Sequence, residues 1–171
     1  MTFQGLRINE EGKVAAYTRA KTLSEGAKLS GRLHTELRHR GAHPMLFQYC
    51  SEELVTRSLF HATTEASKSI LHRVRQITSL AGDGGALYNQ VFGTNNERPL
   101  LFINGYESDS DISEHRAFKN ILLGIHGHYR NPRAHSSRID SHEILEDFYD
   151  AMSLFSYAHR RLDSATRVVP R

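Results

Sequence analysis

Residues 51–77 read SEELVTRSLFHATTEASKSILHRVRQI. Val55, Leu59, Ala62, Ala66, Ile70, Val74 and Ile77 recur at steps of three and four, the pattern of a helix that buries one face. At about 1.5 Å per residue such a helix runs roughly 40 Å, enough to be the spine of a domain. Ser51 supplies a start, and Gly82-Asp83-Gly84-Gly85 supplies a stop. His61, Glu65, Lys68 and His72 share a second stripe with the same spacing.

The flanking segments follow the same period. Leu23, Ala27, Leu33 and Leu37 form a loose stripe over residues 22–40, which Gly41 and the extended residue before Pro44 end. A short helix is expected over 86–92, a buried extended segment over 99–103 and a turn over 104–111. Helices are expected over 114–129, with Phe118, Ile121, Leu122 and Ile125 on one face, and over 141–165. Asp140 and Glu143 have capping-box spacing for the last, whose stripe is Leu145, Phe148, Met152, Phe155 and Leu162. Near the N-terminus, Gly5 to Ile8 and Lys13 to Tyr17 flank a turn at Glu11-Gly12, which predicts a short β-hairpin. The expected class is all-α, a helical bundle over residues 44–171 with an N-terminal extension, 1–43, of hairpin and basic helix.

The 171 residues suit one domain with one core, and the mixed charges and 39% hydrophobic content fit neither a disordered chain nor a membrane protein. The longest apolar runs, such as Leu100 to Ile103, fall far short of the roughly 20 residues of a membrane span, and the first twelve residues carry no signal-like apolar stretch. Cys50 is the single cysteine, so a reducing, cytoplasmic location is expected. The net charge of +3 says little, although residues 1–45 hold eight Lys/Arg against four Asp/Glu. The unusual figure is eleven histidines.

One of them stands in a telling place, Tyr129-Arg130-Asn131-Pro132-Arg133-Ala134-His135. The residue before Pro132 is driven out of the helical region, while proline suits the first position of a new turn. Asn131 is then an N-cap, the preceding helix ends near Tyr129 or Arg130, and Arg130 and His135 occupy the two positions that meet across a helix start. Guanidinium forks and helix N-termini both favour phosphate, and a histidine titrating near neutrality can move a proton at an attacking or leaving oxygen. The same two positions also serve as a plain staple of a helix start.

The Arg-Asn-x-x-x-His pattern resembles the signature of the HEPN superfamily of helical-bundle proteins. Phe60-His61-Ala62, Glu65 to Ser69, Gly82-Asp83-Gly84, Gly124 to His135 and His159-Arg160-Arg161-Leu162-Asp163 together resemble its prophage- and defence-associated Ymh family. That resemblance implies a metal-independent endoribonuclease without a cofactor, in which the RNA 2′-hydroxyl attacks the adjacent phosphate to leave a 2′,3′-cyclic phosphate. His135 would transfer the proton, Arg130 would stabilise the phosphorane and Asn131 would position the motif or contact the phosphate. Glu65, Lys68 and Arg133 would be substrate-binding residues. Glu65 would orient Arg130 across the bundle, or else Glu65 and Lys68 are a simple i, i+3 pair on a solvated face. The resemblance further implies a homodimer with two motifs facing one cleft, a toxin-like or phage-defence role, and an inhibitor or defence-system partner. The alternative it leaves is a non-catalytic nucleotide- or RNA-binding or assembly module.

Other constellations are weaker. His126 and His128 are two apart and point to different helix faces, so no metal site is expected. Gly82 to Gly85 lacks the Lys-Ser/Thr of a phosphate loop, and Cys50 reads as a small buried hydrophobe. His34, His39 and His43 are expected on the surface. Arg160 and Arg161 complement a helix dipole, with RNA backbone contact a second use.

Overall fold

A computed structural model describes residues 6–8, 14–16, 23–51, 55, 58–94, 98–130 and 144–168. In chain order these form β1 (Leu6–Ile8), β2 (Val14–Ala16), α1 (Leu23–His39), a 3-10 helix (Pro44–Cys50), α2 (Leu59–Thr78), α3 (Gly84–Phe92) and β3 (Leu101–Phe102). There follow α4 (Asp109–Ile125), a π-helical turn (His126–Arg130), α5 (Leu145–Asp163) and β4 (Thr166–Arg167). The chain is mostly helical, as its periodicity predicts.

The expected hairpin is present: β1 and β2 pair antiparallel, with Arg7 opposite Ala15. A second ribbon was not expected. Leu101 and Phe102 pair antiparallel with Arg167 and Thr166, so the buried 99–103 segment finds its backbone partners just beyond α5, where helix was expected to run to Ala165.

The spine is shorter than its apolar stripe. Ser58 is extended, and its hydroxyl accepts from the His61 N–H at 3.1 Å, so α2 begins at Leu59 and spans about 30 Å. Val55 is helical and buried in register with α2, which is why the hydrophobic period runs through the break unmarked. At the other end Ser79, at φ 59°, closes the helix with its N–H on the Arg75 carbonyl, ahead of the glycines. Two further starts also differ. Ser108 and Asp111 form a capping box that begins α4 at Asp109, inside the expected turn. Ile144 is the extended residue before α5, so that helix starts at Leu145; Asp140 and Glu143 lie outside the described residues.

The core lies where α2 packs on α5, with α3 against α4 and the π turn against both α2 and α4. Ala62, Ala66, Ile70, Phe148, Met152 and Phe155 are fully buried there. Leu33 and Leu37 carry α1 into the same core, while Ala27 of the expected stripe is exposed. Cys50 is buried, and burial pushes its thiol up to about 12. Among the described residues no helix is long and apolar enough to cross a membrane.

Candidate functional site

Arg130 lies in the π turn His126–Arg130 that prolongs α4, and residues 131–143 after it lie outside the described residues. Such turns are rare and concentrate at functional sites. Two aromatic contacts fix this one. The Tyr129 ring meets Phe155 of α5 edge-on at 4.9 Å, and the His126 ring meets Tyr88 of α3 edge-on at 6.3 Å. His128 instead lies against Tyr129, so His126 and His128 face different neighbours.

The Arg130 Nη1 donates to Asp83 Oδ1 at 2.6 Å. Arg75, on the last turns of α2, brings its Nη2 within 3.3 Å of the same oxygen. It also donates through Nε to the Gly82 carbonyl at 2.8 Å, and through Nη2 to that carbonyl as well. The Arg130 hydrogen bond holds the Asp83 carboxyl below the usual carboxylate range. Burial, and then the Arg130 charge, push the His126 imidazole down, which favours its neutral form.

Glycine is required next to Asp83. Gly84 has φ +50°, and a Cβ there would lie 2.2 Å from the His126 Nε2. A Cβ on Gly85 would lie 3.3 Å from Leu123. The glycine run thus lets the start of α3 seat directly on the end of α4, beyond its role as a helix stop.

Of the expected site residues, Arg130 stands at this junction, and Asn131, Arg133 and His135 lie outside the described residues. Glu65 and Lys68 pair with each other at 2.6 Å on α2. The carboxylate paired with Arg130 is Asp83, whereas Glu65 lies near Tyr49 of the 3-10 helix, whose phenol is raised by burial and further by the Glu65 charge. Asp83, Arg75, Gly84 and His126 carried no site role in the sequence. Their signal was a surplus: four residues, three of them glycine, where Ser79 alone ends the helix.

A second polar cluster accounts for the His159 to Asp163 run. The Ser69 hydroxyl donates to the Ala66 carbonyl at 2.6 Å, so it accepts from His159 Nε2 at 2.9 Å. The Nδ1 face of His159 is then a lone pair, and Arg73 Nη1 sits 3.4 Å from it and 3.0 Å from the His159 carbonyl. Asp163 receives Arg73 Nη2 and, at 2.9 Å, His43 Nε2. His43 stacks on His159 at 5.0 Å and caps the 3-10 helix with Nδ1 accepting from Met45 N–H. Its side chain is only 11% exposed, so the expected surface histidine is a mostly covered joint between elements. Arg161 pairs with Glu114 of α4 at 2.7 Å, and Arg160 bonds Ser156 and the Gly41 carbonyl, so both tie elements together.

No curated protein and no solved structure matches the chain. Residues 40–162, which hold α2 to α4, all but the last residue of α5 and both ends of the Asp83–Arg130 pair, match the family described as "Protein of unknown function (Hypoth_ymh)", and the chain belongs to that family.

Proposed function

We propose that this chain is a HEPN-type, metal-independent endoribonuclease. The observation that carries the reading is Arg130 itself. Its guanidinium, 31% exposed, reaches from the π turn that prolongs α4 to pair with a carboxylate, and Arg130 begins the Arg-Asn-x-x-x-His run. A guanidinium so held presents donors to a phosphodiester without first having to be ordered.

In the reaction the RNA 2′-oxygen bonds to the adjacent phosphorus while the bond to the 5′-oxygen breaks. The 2′-hydroxyl loses its proton and the leaving oxygen gains one. His135 moves the proton, Arg130 stabilises the phosphorane charge and Asn131 positions the motif. Arg133 and Lys68 contribute cations to the RNA backbone, and Glu65 holds Lys68 in place. The bundle is HEPN-like, two copies set their motifs toward one cleft, and a cytoplasmic toxin-like or phage-defence role with a cognate inhibitor follows the same reading.

The test is purified protein with mixed RNA in EDTA. Cleavage to cyclic-phosphate ends that disappears in Arg130→Ala and His135→Ala is expected. RNA that stays intact while binding to the protein persists would make the chain a non-catalytic binding module instead.

A further inference from the structure

The ion pair between Asp83 and Arg130 joins residues 47 apart, with the Arg130 side chain 31% and the Asp83 side chain 61% exposed. An ordinary exposed pair of this kind is loosely held and contributes little. This one is held from three sides. Arg75 grips the Gly82 carbonyl from α2 and reaches the Asp83 carboxylate, so the backbone just before the aspartate and the aspartate's side chain are both tethered to the spine. The missing Cβ of Gly84 lets the His126 ring lie against the backbone of the very next residue. His126 also stands four residues before Arg130 in the same helical turn, so the contact that seats α3 on α4 also brings Arg130 to the carboxylate.

The geometry points to Asp83 as the positioning residue of Arg130, a carboxylate braced by Arg75 and the Gly84–His126 contact that sets the direction of the guanidinium toward the phosphate. The role rests on the ribonuclease reading above. Arginine is a long, rotamer-rich side chain, and a planar fork is useful only when its direction is set. Among the described residues Asp83 engages Nη1 alone, and a guanidinium has further donors to offer substrate oxygens. Charge is not lost in the exchange: Arg75 and Arg130 share the single Asp83 carboxylate, so the three groups together remain cationic toward an anion.

The experiment compares Asp83→Ala and Asp83→Asn with the unaltered full-length chain. Asparagine keeps an acceptor oxygen at the same reach, while alanine removes it. Asp83→Ala is expected to lower kcat about tenfold or more with KM changed less than about threefold, and Asp83→Asn to recover most of the loss. A lowered Tm with wild-type kcat would mark Asp83 as structural only and overturn the proposal. NMR of the arginine guanidinium groups gives a readout that needs no activity. Rotation of the Arg130 guanidinium is expected to be slow in the ligand-free wild type and fast in Asp83→Ala; equal rotation in both overturns the proposal. If wild-type protein cuts no RNA while Asp83 still restrains Arg130, the ribonuclease reading fails and the positioning of Arg130 stands.

Discussion

Mild acid should weaken this protein through one buried ring. His159 is fully buried, and burial, then His43, then Arg73 push its imidazole from 6.5 to about 4. The hydrogen bonds give the reason. With Nε2–H spent on Ser69, a second proton would sit on Nδ1, facing the Arg73 guanidinium, donor against donor. The unfolded chain therefore binds this proton more readily than the folded one, and stability is full above about pH 6.5 and falls as pH drops toward 4. At pH 5 an unfolded ring is almost fully protonated and the folded ring only about one-tenth so, which makes the loss between pH 7 and pH 5 about 2 kcal/mol. That is a sizeable part of the roughly 5–15 kcal/mol that holds a domain together. Urea unfolding at pH 7, 6 and 5 measures it, with His159→Gln as the reference that cannot titrate. His115 is also pushed down by burial and steepens both curves alike, so the difference between them belongs to His159. Asp83, Asp111 and Asp163 are held below the usual carboxylate range, chiefly by hydrogen bonds from Arg130, the Ser108 backbone and Arg73, so their main losses come at lower pH. Parallel pH slopes for wild type and His159→Gln would refute the reasoning.

Two further outcomes follow from single contacts. Gly84→Ala adds a Cβ against the His126 ring at a left-handed φ, and should cost about 1–3 kcal/mol in urea unfolding. Adding His126→Ala should return the steric share and leave the backbone share, about 1 kcal/mol. Cys50, fully buried with its thiol pushed up to about 12, should resist a thiol-reactive dye in the native state and react at the rate of unfolding when urea is added.

What could be seen in the sequence depended on whether the signal was periodic. Ile70 and Val74 of α2, Phe118 and Leu122 of α4, and Phe148 and Phe155 of α5 are buried, as their spacing requires, because a helix repeats its face every three or four residues. A local break within that repeat leaves no mark when the chain resumes in register. Val55 is buried on the far side of Ser58, so the stripe looked continuous and the N-cap passed unseen. The Ser108-x-x-Asp111 spacing was present but lay in a stretch whose polarity read as turn. β4 had no chance of recognition, since two exposed residues become a strand only by pairing with Leu101 and Phe102.

The site divides along the same line. That α4 carries helical structure as far as Arg130 is a local matter, and its apolar spacing shows it without coordinates. Asp83 could not be placed so, because nothing in the spacing of a loop carboxylate says which of 22 basic residues it meets. Its glycines held more information than the aspartate did. Ser79 turns the chain out of α2 unaided, so a second break five residues later has no use as a stop. A left-handed glycine that is surplus to ending a helix requires another cause, and here that cause is the histidine ring pressed on Gly84. That contact joins α3 to the π turn bearing Arg130, which makes the glycine run part of the machinery that aims the arginine.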